Sequence, residues 1–175
     1  MIKGKKVYLD AIEVEDLELL REWRNLPEFK KCFREYREIN SDMQKLWYDN
    51  KVVNDNQTIM FAIRSNDNQE LVGCCGLCYI NWVNRNADLS LYIGKDKAYI
   101  DDRGLAEEGC QLLLDYGFKE LGLRKVWTEI YEFDQKKYQL YHKLGFHDDG
   151  ILRSQYYYDG TWWDSYILSL LDEEK

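Results

Sequence analysis

At Ile59 the apolar residues of this 175-residue chain switch from helical spacing to alternation, and that switch constrains the fold more than any other feature. Upstream, Leu17, Leu20 and Trp23 recur as one face of a helix does, and Asn25-Leu26-Pro27 ends the run. Ser41-Asp42-Met43-Gln44 has the form of a capping box and predicts a second helix, with Met43, Leu46 and Trp47 on one face. Then Ile59, Phe61 and Ile63 alternate with Met60, Ala62 and Arg64, as the two faces of a strand do. Leu71–Cys78 and Ala87–Ile93 read as two more strands. The link Asn81–Asn86 predicts that they form an antiparallel hairpin. Helical spacing returns at Gly104, with Leu105, Gly109, Leu112, Leu113, Tyr116 and Leu121 on one stripe. Val126–Tyr131 is again a strand. Asp134 can cap the next helix, with Phe133 and Tyr138 placed as a hydrophobic staple, and Gly145 stops it. Tyr156–Tyr158 and Tyr166–Leu170, around Asp159-Gly160, predict a closing hairpin. With a short strand at Lys6–Leu9, the order is β-α-α-β-β-β-α-β-α-β-β. That is an α/β (α+β) chain, and its length predicts one domain spanning 1–175.

Charge narrows the function classes. Lys and Arg number 24 against 32 Asp and Glu, a net charge of -8. A chain without a basic face is not built to hold a nucleic-acid backbone or to dock on anionic lipid. Hydrophobic residues make up 45%, with 14 Tyr and 6 Trp, which excludes an acidic disordered chain. The acidity is uneven: from Asp148 to Lys175 there are seven acids, with only Arg153 and Lys175 opposing them. Such a run is either a solvated face or a negative wall beside a site for a cationic substrate. No apolar stretch follows Met1-Ile2-Lys3-Gly4-Lys5 and none is long enough to span a bilayer, so the expected home is the cytoplasm. Cys75 and Cys78 form a C-x-x-C, but positions i and i+3 of a strand face opposite ways. With no second pair or nearby His, they read as small buried hydrophobes, and no metal is expected.

Two segments carry chemistry. Asp101-Asp102-Arg103-Gly104-Leu105-Ala106 joins a strand to a helix, where unpaired N–H groups favour an anion and Gly104 and Ala106 allow close approach. About 30 residues on, Asp134 to Phe146 reads D-Q-K-K-Y-Q-L-Y-H-K-L-G-F. Together these resemble the GCN5-related N-acetyltransferase (GNAT) superfamily, in the branch of ribosomal-protein and spermidine acetyltransferases. The family's loop R/Q-x-x-G-x-G/A corresponds to Asp101-x-x-Gly104-x-Ala106, and its later N-x-x-a-i-x-l-Y-x-k-l-G-F motif to Asp134 through Phe146. Leu71-Val72-Gly73, Ile151-Leu152-Arg153 and the Asp159-Gly160-x-x-x-Asp164 ending fit as well, so the resemblance covers nearly the whole chain. Two positions depart from it: Asp101 stands at Arg or Gln, and Asp134 at Asn.

The resemblance implies the GNAT fold, with a central mixed, mostly antiparallel sheet flanked by helices, and acetyl-CoA as co-substrate. It places the pantetheine along Leu91, Tyr92 and Ile93 as an added strand, and the pyrophosphate on Arg103, Gly104, Leu105, Ala106 and Glu107. Asp134 and Lys143 complete the expected cofactor contacts. The implied reaction is direct acetyl transfer to a primary amine. Tyr141 would donate a proton toward the leaving thiolate; Asp88, near the expected thioester, is the candidate base, with Glu129, Glu132, Glu35 and a water chain as alternatives. A GNAT-like module that binds acyl-CoA without turnover is the alternative, with Asp101 and Asp134 as its support.

The acceptor is a small-molecule or peptide amine, and its walls are expected at Phe33, Arg34, Glu35 and Tyr36 on one side and Tyr157 and Trp163 on the other. Aromatics beside carboxylates suit a polyamine, an aminoglycoside or a basic N-terminus. Arg34 and Arg37 instead suit an acceptor that carries phosphate, such as a nucleotide-linked amino sugar. The aromatic closing hairpin is compatible with a homodimer.

Overall fold

The alternating run at Ile59 opens the middle of one eight-stranded sheet, ordered β1-β2-β3-β4-β5-β6-β8-β7. The computed structural model describes residues Met1–Lys175. Its strands are β1 (Ile2–Lys3), β2 (Val7–Asp10), β3 (Ile59–Ser65), β4 (Leu71–Asn81) and β5 (Asn86–Ile93), then β6 (Lys125–Tyr131), β7 (His147–Tyr158) and β8 (Thr161–Leu171). The helices are α1 (Leu17–Asn25), α2 (Pro27–Lys30), α3 (Ser41–Trp47), α4 (Leu105–Asp115) and α5 (Gln135–Lys143). All pairings are antiparallel except β5 with β6, which is parallel and spans only Asn86↔Lys125, Ala87↔Val126 and Asp88↔Trp127. Beyond Asp88 the two strands part. The expected hairpin of β4 and β5 is present.

Local chemistry moves several boundaries. The first helix ends at Asn25 with Leu26 extended, as Asn25-Leu26-Pro27 predicts, and Pro27 then starts the short α2 at its first position, where its missing N–H costs nothing. The cap of α3 is Asn40, whose Oδ1 accepts from the Met43 N–H at 2.8 Å, one residue before the expected capping box. Asp134 does cap α5, accepting from the Lys137 N–H. The expected staple does not form. Phe133 packs among Tyr131, Tyr156, Tyr158 and Trp163, while Tyr138 turns to His142 and Tyr166. The buried face of α4 is Ala106, Gly109, Cys110, Leu113 and Leu114, rotated from the expected stripe so that Leu105 and Leu112 lie at its margin. The closing hairpin starts at His147, far earlier than its aromatic tip predicts, because its β7 half is exposed and polar.

One side chain fastens α4 to the sheet. The Glu108 carboxylate accepts from the backbone N–H groups of Lys5, Lys6 and Val7 at 2.8, 2.6 and 2.8 Å. Burial raises its pKa, but these three donors outweigh that and hold it below the ordinary value. Glu108→Gln turns an amide N–H toward the same donors. We expect it to cost about 1 kcal/mol, which lowers Tm by about 3 °C. Because the folded pKa is depressed, the difference from wild type is full above the ordinary Glu value and disappears as pH falls through the folded one. Thermal unfolding of both proteins against pH checks this.

Candidate active site

Where β5 and β6 part, the sheet offers an open backbone edge. On this side of β5, Leu89 C=O accepts from the Thr128 hydroxyl at 3.3 Å and Ile93 N–H donates to Tyr99 C=O at 2.8 Å. Alternation places the Leu91 N–H and C=O on the same side, between those two contacts. Tyr92 turns its backbone the other way, toward β4, so of the expected run Leu91–Ile93 it is Leu91 that faces the gap. Tyr141 on α5 lies within electrostatic reach of Asp88 and of Cys75, the β4 partner of Leu91. Its side chain is fully buried against Phe146, and its hydroxyl has no hydrogen-bond partner. Burial raises its pKa well above the ordinary phenol value, with nearby Asp134 and Asp88 adding to the shift.

The turn before α4 is built as an anion cradle, as Gly104 permits. Gly104 sits at φ +83°, a left-handed conformation that a side chain disfavours. The cradle holds an anion of the chain's own. Asp101 Oδ2 accepts from the N–H groups of Arg103 and Leu105 at 2.8 and 3.0 Å, and Oδ1 accepts from Ala106 N–H at 2.8 Å. The surrounding charges are paired among themselves. Arg103 reaches Asp96 at 3.0 Å, and Lys143 reaches Glu107 at 2.5 Å, tying α5 to α4. Lys6 Nζ donates to Arg103 C=O at 2.6 Å, a cation at this turn that its place in a short strand did not signal. Asp134 is likewise committed, accepting from Tyr99 Oη at 2.5 Å as well as capping α5. An open edge at Leu91, an unpartnered Tyr141 hydroxyl and three converging N–H groups fit acetyl-CoA, provided that Asp101 swings out.

On the other side of the gap is a cavity of about 520 Å³. It is walled by the segment after α2, by α3 and by the faces of β4, β5 and β6. Phe33, Arg34, Glu35 and Asp88 line it, as does Arg37. Tyr36, Tyr157 and Trp163 do not. Tyr36 is 80% exposed, Tyr157 packs on Trp162 at the hairpin tip, and Trp163 packs on Phe133. The second wall is instead Thr128, Glu129 and Tyr131 of β6. Arg34 bridges Asp88 and Glu129, at 3.0 Å to each. Arg37 is held by Glu35 at 2.7 Å, and the Arg37 hydrogen bond keeps Glu35 down at about 2. Asp88 is buried, and burial raises its pKa to about 6 against the pull of Arg34.

The acidic C-terminal segment does not line this cavity. Asp149 pairs with Lys125, and Asp172 and Glu173 pair with Arg124. Asp148 faces His142 and Tyr138. Of the two readings of this segment, the negative wall beside the site is not what forms: Asp149, Asp172 and Glu173 are spent on ion pairs with Lys125 and Arg124. The five cysteines are unpaired, and no three His, Cys, Asp or Glu side chains cluster to hold a metal ion. No helix is long and apolar enough to cross a membrane.

The family model described as an acetyltransferase (GNAT) domain matches residues 6–147. An uncharacterized N-acetyltransferase, p20, of Bacillus licheniformis is 26% identical over 172 residues, covering 97% of this chain and 95% of that protein. A spermidine N(1)-acetyltransferase of Escherichia coli K12 is 28% identical over 163 residues, covering 93% and 84%. Among solved structures, spermidine N-acetyltransferase from Vibrio cholerae in complex with CoA and spermine superposes with a TM-score of 0.88. It is 23% identical and covered at 98% on both chains, a likeness of fold.

Proposed function

We propose, from the premise that this chain belongs to the GNAT acetyltransferase family, that it moves an acetyl group from acetyl-CoA to a primary amine held in the cavity beside Asp88. The chain is an N-acetyltransferase, and a module without turnover finds no support among relatives named as acetyltransferases. The observation that carries the site assignment is the open edge at Leu91 together with the buried, unpartnered Tyr141 hydroxyl.

Bound acetyl-CoA would supply the activated acyl group as a thioester. The chain's part is binding, orientation and proton handling. Leu91 offers an N–H and a C=O to an extended ligand as a strand edge does. The Arg103, Leu105 and Ala106 amides serve a phosphate once Asp101 leaves them. Tyr141 keeps its proton at neutral pH because its pKa is raised, so it stands as a donor where thiolate charge develops. Asp88 is largely ionised at neutral pH, with its pKa near 6, and accepts a proton from an incoming ammonium. Arg34 holds it in place.

The acceptor is a small-molecule amine, and spermidine is the first one to assay because relatives carry that name. Free-thiol release from acetyl-CoA, measured over spermidine, aminoglycosides, nucleotide amino sugars and basic peptides, tests the reading. Turnover with at least one is expected. Silence with every amine, together with no calorimetric binding of acetyl-CoA, overturns it. The base assignment has its own signature. kcat/KM should fall as pH drops through about 6, because protonation removes the carboxylate that takes the proton. Asp88→Asn should lose that acid limb along with most of the rate, as a pH profile of both proteins will show.

A further inference from the structure

The cavity is lined by five basic side chains and three acidic ones, and two of the basic ones make no ion pair. Arg34 is spent on Asp88 and Glu129, Arg37 on Glu35, and Lys51 on Asp55. Arg24 and Lys137 remain. Arg24 lies over the Phe33 ring at 3.9 Å, and its buried Nε has no hydrogen-bond partner. Lys137, only 8% exposed, sets its ammonium 4.8 Å from the same ring and 4.9 Å from that of Tyr99. It takes part in no ion pair. The carboxylates that attract it are Asp134, which already serves Tyr99 and the α5 cap, and Asp88, which Arg34 bridges.

Two unpaired cations against one ring, both facing a cavity, repel each other and bear a desolvation cost that an anion between them would offset. Burial lowers the Lys137 pKa, and Arg24 pushes it the same way. Aromatic faces soften such a cost without removing it. A polycation would meet this pair with repulsion, and the carboxylates that could welcome it are already bridged by arginines.

Resting on the acetyl-transfer reading, we infer that the acceptor amine carries an anionic group, carboxylate or phosphate, which sits between Arg24 and Lys137 and directs the amine toward Asp88. Arg24 and Lys137 are binding residues here, with no part in the proton transfers.

Matched acceptors test this. Ethanolamine is compared with phosphoethanolamine, and propylamine with β-alanine, so that each pair differs in the anion alone and the two pairs separate phosphate from carboxylate. Spermidine is the polycation control. The anionic member of at least one pair should exceed its neutral partner about tenfold in kcat/KM. Lys137→Met and Arg24→Gln, made separately, should each shrink that ratio toward one. Spermidine ahead of every anionic amine, or ratios of one in wild type, overturns the inference and leaves acetyl transfer standing. Calorimetry on wild type with phosphoethanolamine and β-alanine, without acetyl-CoA, reads the anion site whether or not turnover occurs. Binding that either variant weakens about tenfold supports the site, and no binding of either compound removes it.

Discussion

Tyr141→Phe should slow acetyl transfer about a hundredfold in kcat while leaving the folded chain as stable as wild type or more so. The two halves of this expectation come from one atom. The Tyr141 hydroxyl is buried and unpartnered, so folding strips it of water and returns nothing. A buried, unsatisfied hydroxyl costs about 1–3 kcal/mol, and removing it without changing ring volume recovers part of that. A group kept at such a cost has to find its partner elsewhere, and the open edge at Leu91 is where a ligand would bring one. General-acid contributions run from about 10² to 10⁴ in rate. The opposed signs separate the catalytic reading from a packing one. A structural tyrosine replaced by Phe would lose stability and activity together, or neither. Steady-state kinetics with thermal unfolding on the same preparation gives the answer, and an unchanged kcat sinks the assignment of Tyr141 as donor.

Asp101→Ala should tighten acetyl-CoA binding about tenfold and lower thermal stability. In the folded chain the Asp101 carboxylate receives three backbone N–H groups. These are the donors that a pyrophosphate would use, so the ligand competes with a residue tethered beside the site. Removing the carboxylate abolishes the competitor. It also strips the start of α4 of its cap, a loss of about 1 kcal/mol. Affinity and stability therefore move in opposite directions. Isothermal calorimetry with acetyl-CoA, next to a melting curve, reads both. Weaker binding in Asp101→Ala would mean that the carboxylate preorganises the turn instead of blocking it.

Much of the architecture was legible because it rests on local periodicity. β3, the hairpin of β4 and β5, and α5 with its Asp134 cap follow from spacing and cap chemistry alone. Features that depend on long-range partners were not legible. Nothing near Asp101 in sequence says that its side chain turns back onto its own amides. Nothing in the spacing sets Lys137 apart; only the packing of α5 brings its ammonium against Phe33 and Tyr99. Arg34 reads as an open anion site because its carboxylate partners, Asp88 and Glu129, come from β5 and β6, far along the chain; Arg37 is neutralised by Glu35 only two residues away. The aromatic hairpin misled for a related reason. Its aromatics at Tyr157 and Trp163 read as acceptor walls, but only topology shows that the tip lies away from the cavity.

The parallel contact between β5 and β6 is three residue pairs long. It is the only seam joining the strands before α4 to those after it. An extended ligand laid against Leu91 would add rungs to a ladder that otherwise stops at Asp88. Binding would then do mechanical work as well as chemical work, lacing the two halves of the sheet along their shared border. Amide protons of β8, which does not border the gap, should exchange more slowly once the gap is filled.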